Sequence, residues 1–418
     1  MVQQLVSDPL SGSDASNDAL DTTQFQVAIA GGGIAGLTLA CALKNSGLKV
    51  VVLETQTQAA SLMKQQAYAV SLGSSKIFQQ IGVWEQILPR ISRFQQIHLS
   101  DNDYAGVVQF CNPDLGVESG TKDLGYVAEH WAIAQVLQDY LSSGDIFYET
   151  TVSEVKYESK QAKLQIQTPT GEQTITTQLL VAADGSRSPL RAAAGINTKG
   201  WKYWQSCITT RVKPENPDYI AYEKFQASGP FAILPLPNGL CNIVWTAPHG
   251  ETQAFVQLDD QKFLAELTQR FGQHMGKIEL VGQRYVFPVQ LMQSDRYTAP
   301  RLALIGDAAH CCHPVGGQGL NMGIRDAAAL AEVIQTAQQD QQDLGSLEVL
   351  QKYGRWRSPE NLVILAFTDL LDRFFSYQFP PLVFLRRIGL FALGHIPFVK
   401  SFALRLMTGL LGRSPKLT

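Results

Sequence analysis

The sequence predicts an α/β fold in which a parallel sheet carries an inserted antiparallel β-sheet and ends in a helical C-terminal region. Three observations predict it. Residues 25–54 run strand, glycine turn, helix, strand, the order of a βαβ unit. Residues 200–294 shift to alternating, aromatic-rich stretches that suit antiparallel strands. From 295 onward a buried-strand pattern and then a helical period return. At 418 residues the chain is also longer than one compact core ordinarily fills.

In the opening unit the apolar run Val27 to Ala30 suits a strand buried on both faces, Gly47 can close the helix, and Val50 to Leu53 supply the neighbouring parallel strand. Between the strands, Gly31, Gly33 and Gly36 fit GxGxxG, with Ile34 and Ala35 filling its variable positions. Such glycines permit a tight turn, let the backbone approach a pyrophosphate and allow close helix packing. The phosphate would sit at the helix N-terminus. Glu54 ends the second strand 18 residues past Gly36, where a carboxylate accepts hydrogen bonds from an unphosphorylated adenosine ribose. The motif alone does not separate NAD from FAD.

Further along, a helix is expected around Ile133 to Leu141, and LLVAAD forms another central strand that ends at Asp184-Gly185, with Ser188 and Arg191 following. By itself Asp-Gly is usually a turn. FAILPL and CNIVWT, separated by Pro237, Asn238 and Gly239, read as a hairpin. Its Phe231, Leu234, Leu236 and Trp245 are candidates either for a substrate-cavity wall or for plain core. In RLALIGDAAHCCHPVGGQGLNMGIRDAAAL a buried strand ends at Gly306-Asp307, and Pro314 to Gly319 lead into a helix. Asp307 can accept hydrogen bonds from the ribityl hydroxyls of a flavin, and Gly316, Gly317 and Gly319 let its ring approach the backbone. The helix from near Leu320 points its positive end at the flavin pyrimidine, which favours the anionic reduced form.

These patterns divide the chain into a flexible tail (1–23), a first dinucleotide-binding part (24–199), an antiparallel sheet domain (200–294), a second dinucleotide-binding part (295–345) and a C-terminal helical region (346–418). With 34 basic and 37 acidic residues the formal charge of −3 offers no field for a nucleic acid. Six cysteines without scaffold spacing imply a reducing, cytoplasmic setting. His310-Cys311-Cys312-His313 does not match zinc spacings, so no metal is expected. No stretch of about 18 uncharged apolar residues occurs. The apolar and basic C-terminal segment either lies on a membrane surface or packs on the body.

The chain resembles the group A flavoprotein monooxygenases, of which p-hydroxybenzoate hydroxylase is a familiar member, and most of all the ubiquinone-biosynthesis hydroxylases. The resemblance runs from about residue 25 to 410 and rests on the GDAAHCCHPVGGQGLNMGIRD block, the LPLPNG hairpin, and YGRWR, NLVILAFTDLL, FFS and LRRIGL in the tail. It implies a Rossmann-like FAD-binding domain of the GR2 type, bound FAD, and NAD(P)H that visits without a second Rossmann domain. It also implies a reaction with O2 through a flavin hydroperoxide, hydroxylating an aromatic, lipid-tailed substrate, a prenylated phenol on the way to a quinone, with peripheral membrane association.

The same resemblance gives Gly31, Gly33, Gly36 and Glu54 to the adenosine diphosphate. Asp184, Gly185 and Arg191 fall in a motif serving FAD and the nicotinamide, and Gly306, Asp307, Pro314, Gly316, Gly319, Leu320 and Asn321 lie around the ribityl chain and ring. It assigns no catalytic side chain, the chemistry being centred on the flavin. Two departures stand out: Gln66 where members carry an arginine, and Trp131 near the place of another. A reductase of prenyl chains and a non-catalytic flavin-binding subunit are the alternative readings, while a halogenase is disfavoured because Trp-x-Trp-x-Ile-Pro does not occur.

Overall fold

The computed structural model describes residues 24–101, 104–116, 120–272 and 274–417, so the expected tail at 1–23 lies outside the described residues. Strand Gln24–Ala30 pairs in parallel with Val50–Leu53 on one side and with Gly171–Ala182 on the other. Leu302–Leu304 and Ile146–Phe147 extend the parallel array at its two edges. Val27, Ala28, Ile29, Val51 and Val52 are wholly buried, which is why these runs are continuously apolar rather than alternating. Truncating one of them, as in Ile29→Ala, costs about 2–5 kcal/mol. Helix Ile34–Leu43 packs against helix Gln318–Gln339, and Gln335 Nε2 donates to the Ala42 carbonyl at 3.0 Å. The chain thus returns after the inserted sheet to the core it began.

Among the described residues, nine strands build the second sheet around Thr198–Pro214, which pairs with Cys241–Pro248 and Tyr285–Ser294. Phe231–Pro235 and Cys241–Pro248 form the expected hairpin, turned by Asn238 at φ 61°. This sheet is not confined to residues 200–294. Ile220–Phe225 presents an edge that Gln96–Asp101 joins in parallel, and Tyr104–Cys111 follows, because an unpaired strand edge demands partners. His310–Cys311 joins at the far side.

Alternation along the hairpin sorts its side chains between two faces. Phe231, Ile233, Ile243 and Trp245 point to helices His249–Gln257 and Asp260–Phe271, packing with Phe263, Leu267 and Phe271. Leu234 and Leu236 pack instead against the first domain. The C-terminal region holds the long helix Leu347–Ser376 and the helices Pro380–His395 and Pro397–Met407, which meet at 93°. Among the described residues no single helix is long and apolar enough to cross a membrane.

Candidate active site

The glycine turn is shaped partly by the protein's own backbone. A Cβ on Gly31, whose φ is +114°, would sit 2.3 Å from the Ala183 carbonyl oxygen, and one on Gly36 would sit 2.1 Å from that of Gly31. Gly33 differs. A Cβ there would meet nothing within 4 Å, so its smallness serves no internal packing. Gly33 also N-caps helix Ile34–Leu43 without any side-chain cap, leaving first-turn N–H groups for a ligand. Glu54 is buried at 6% exposure, with Oε2 accepting from the Gly32 N–H at 2.7 Å and Oε1 from the Gln56 N–H at 2.8 Å. Its carboxylate is therefore held in one orientation at the strand end.

The three motifs, far apart in the chain, meet here. Ala35 Cβ lies 3.3 Å from the Cβ positions of both Gly306 and Gly323, which joins the first motif to the third. Arg191 joins the second to the third, donating to the Ala308 carbonyl and the Ser186 carbonyl, each at 2.8 Å. These two bonds to backbone oxygens fix the Arg191 guanidinium between the two loops. Asp184 Oδ2 accepts from the Leu190 N–H at 3.3 Å, while its buried Oδ1 has no partner, and burial raises the carboxyl's pKa. Gly185 turns the chain at φ +85°. Asp307 is exposed to solvent, the protein crowded around it raises its carboxyl's pKa, and no protein group among the described residues bonds that carboxyl. Two carboxyls with open acceptor capacity suit a ligand rich in hydroxyls and N–H donors.

Beyond Pro314 the loop turns twice through the left-handed region, with Gly316 at φ +69° and Gly317 at φ +61°. A Cβ on Gly317 would press to 2.8 Å from Ala69 Cβ. Gly319 faces Cys312 Sγ, and Leu320 is half-buried at the start of the following helix. Asn321 is fully used by the protein. Its Nδ2 donates to the carbonyls of Ala69 and Gly317, both at 2.8 Å, and its Oδ1 accepts from the Ser71 N–H at 2.9 Å and Ser74 Oγ at 2.7 Å. It fastens the loop to strand Ala67–Ser71.

Behind the loop lies a charged network that the sequence did not announce. Asp326 takes His310 Nε2 at 2.5 Å, Arg357 Nε at 2.8 Å, Asn361 Nδ2 at 2.9 Å and the Gly306 N–H at 3.2 Å. Burial works to raise its pKa, but the charges of His310 and Arg357 and these bonds hold it down at about 2. His313 is wholly buried. Its Nδ1 accepts from the Val315 N–H at 3.2 Å, which leaves Nε2 to face Asp372 Oδ1 at 3.4 Å. Burial lowers His313 to about 3 and pushes Asp372 up to about 6.

On the sheet side, Phe231 and Trp245 line no cradle: both belong to the core beneath the two outer helices, since strand alternation turns them away. Leu234 faces the first domain, and Leu236 is buried there. Two residues on this side were missed. Arg211 reaches across with Nη1 on Glu129 Oε1 at 2.7 Å and Nη2 on Gln65 Oε1 at 2.6 Å, which brings a guanidinium to the residue that precedes Gln66 in the chain. Glu223 lies on strand Ile220–Phe225 and faces the Gly316 N–H. A lone acid in the apolar stretch IAYEKF is a signal only once the strand's facing is known.

Comparison with known proteins agrees with this geometry. Residues 24–361 match the family described as FAD binding domain. The chain is 50% identical over 403 residues to an uncharacterized protein of Synechocystis sp., covering 96% of each. It is 33% identical over 415 residues to the ubiquinone hydroxylase UbiL of Rhodospirillum rubrum, covering 98% of this chain and 95% of that one. Among solved structures, p-nitrophenol 4-monooxygenase PnpA from Pseudomonas putida superposes with a TM-score of 0.78 at 19% identity, covering 94% of this chain and 100% of that one.

Proposed function

Because this chain belongs to the family of FAD-dependent monooxygenases, we propose that it hydroxylates the ring of a prenylated phenol in quinone biosynthesis, consuming NAD(P)H and O2. The observation that carries the reading is the convergence of three distant motifs, through Ala35, Gly306 and Arg191, on one cradle suited to an elongated dinucleotide. Gly31, Gly33, Ile34, Ala35, Gly36 and Glu54 would hold its adenosine end. Asp184, Gly185, Gly306 and Asp307 would take its middle, and Pro314, Gly316, Gly317, Gly319 and Leu320 its ring end. FAD supplies the activation of oxygen when bound.

The chain's own groups do the rest. Backbone N–H groups at the Gly33 helix end would meet the phosphates, and the carboxyls of Asp184 and Asp307 would accept from hydroxyls. The antiparallel sheet, which brings Glu223 to the Gly316 loop, would help to exclude water from the reacting ring. The Rhodospirillum relative's stated activity is hydroxylation, which favours neither a prenyl-chain reductase nor a non-catalytic subunit.

An apolar surface on the terminal helices supports a lipid-tailed substrate. Phe384, Phe391, Phe398 and Phe402 are each more than half exposed on the two terminal helices, while Arg386 and Lys400 turn inward to Asp101 and Asp114. From Phe379 to the end of the chain there is no acidic residue. The second of these helices ends against the cofactor loop, where Gln318 Nε2 donates to the Met407 carbonyl at 3.0 Å. This apolar, anion-free face would rest on an anionic lipid surface and pass the tail inward. Mass spectrometry of lipid-soluble phenols in cells lacking the protein tests the assignment: a prenylated quinone precursor lacking one ring hydroxyl should accumulate, and unchanged quinone and precursor pools would refute it.

A further inference from the structure

We propose that Glu223 receives the ring hydroxyl of the phenolic substrate and exchanges a proton with it, a role that rests on the hydroxylase reading above. Along its strand, Tyr222 and Lys224 turn to the helical face, where the Tyr222 hydroxyl donates to Asp218 Oδ2 at 2.7 Å and Lys224 Nζ to the Phe271 carbonyl at 2.6 Å. Ala221, Glu223 and Phe225 turn the other way, and Ala221 and Phe225 are buried against the first domain. The residues in register with Glu223 on the neighbouring strands are Ala232 and Leu99, both buried. Its carboxyl points to the loop at Gly316, whose backbone N–H favours the anion.

No cation pairs with this carboxyl among the described residues, and no side chain hydrogen-bonds it. A carboxyl among apolar neighbours with a single backbone N–H turned to it is costly to the fold, so its presence beside the loop at Gly316 points to a ligand. Part of its surface stays open, yet protein surrounds it closely enough that burial pushes it up to about 8, against the pull of the Gly316 N–H. That lies within roughly two units of a phenol's about 10, so a proton passes between them at small cost. The phenol O–H bond gives its proton to a Glu223 oxygen as the ring gains electron density, and the proton returns to that ring oxygen in the product. No atom or electron remains on the protein.

Among the described residues, the titratable groups on the elements packed around it include Cys207 on the central strand, Cys312 and His313 before the loop, Asp372 beside His313 on helix Leu347–Ser376, whose Phe375 stacks on Phe225, and Asp101, which is ion-paired with Arg386. His98 points to the opposite face with Tyr222.

The test titrates the visible absorbance of the FAD-bound protein with a short ortho-prenylphenol and with its methyl ether, which lacks the hydroxyl proton. Wild type should bind the phenol about tenfold more tightly than the ether, the worth of one hydrogen bond to a charged group, and Glu223→Ala should bind the two almost equally. Glu223→Gln, uncharged and of the same shape, covers the case in which the alanine variant loses FAD. It should abolish a rise of kcat/KM between about pH 7 and 9, centred near 8. Unchanged discrimination and an unchanged pH profile in variants that keep full FAD content would overturn the proposal. A wild type whose flavin responds to neither compound and hydroxylates neither would sink the hydroxylase reading first, before any variant is made, and the role of Glu223 with it.

Discussion

Asp326 and Glu223 are both carboxyls turned toward the cofactor loops, one from the helix that follows the ring loop and one from the antiparallel sheet, and their surroundings are opposite. Asp326 has four donors, two of them from side chains that can carry positive charge, and is held at about 2. Glu223 has apolar neighbours, one backbone N–H in front of it, and sits at about 8. Where the protein needs its own backbone fixed, it surrounds the carboxylate with donors. Where a ligand must arrive, it leaves one unsatisfied.

Removing the satisfied carboxylate should have the largest effect. Asp326→Ala removes the buried carboxylate that His310, Arg357 and Asn361 share, leaving Arg357 only Glu360 as an acidic partner among the described residues, and should cost about 3–5 kcal/mol of stability, measured by denaturant unfolding. A loss under about 1 kcal/mol would mean that the network does not support the loop. The glycine turn sharpens the contrast between internal packing and ligand space. Gly31→Ala should destabilise the apoprotein by on the order of 1–3 kcal/mol through strain, whereas Gly33→Ala should melt like wild type and yet bind FAD at least about tenfold more weakly (about 1.4 kcal/mol). Equal effects of the two substitutions would erase the distinction.

Acidity separates the two carboxyls again, with opposite signs. Asp326 falls from an ordinary 3.8 to about 2, so its contribution is complete above roughly pH 4 and is lost as the pH drops through about 2. Glu223 rises from 4.5 to about 8, so its ionisation opposes folding and stability declines as the pH climbs between those values. Melting curves across pH should lose the acid-side fall in Asp326→Asn and the neutral-side decline in Glu223→Gln. The smallest effect belongs to Arg211. Its pair with Glu129 is 30% and 23% exposed, so Arg211→Ala should cost less than about 1 kcal/mol.

Much of this arrangement was legible in the chain. Continuous apolar runs marked the parallel strands because both their faces are covered, and GxGxxG marked the tight strand-to-helix turn, with Glu54 against it, because so few residue types fit there. The facing of antiparallel strands was not legible: with period two, a one-residue difference decides whether Phe231 and Trp245 meet a ligand or a helix, and here they meet a helix. That Arg191 and Asn321 tie separate loops and strands together was not legible, since the carbonyls they donate to are backbone groups that no side-chain pattern records. Nor could the sequence foretell that the sheet recruits residues 96–111, because strand partners distant in the chain leave no local mark.

The most direct test of the hydroxylase account supplies the FAD-bound protein with NAD(P)H, an ortho-prenylphenol and isotopically heavy dioxygen, and reads the product by mass spectrometry. One heavy oxygen atom should appear on the ring, with turnover ceasing when oxygen is withdrawn. Turnover of the phenol that continues anaerobically, or a product carrying no heavy oxygen, would contradict it.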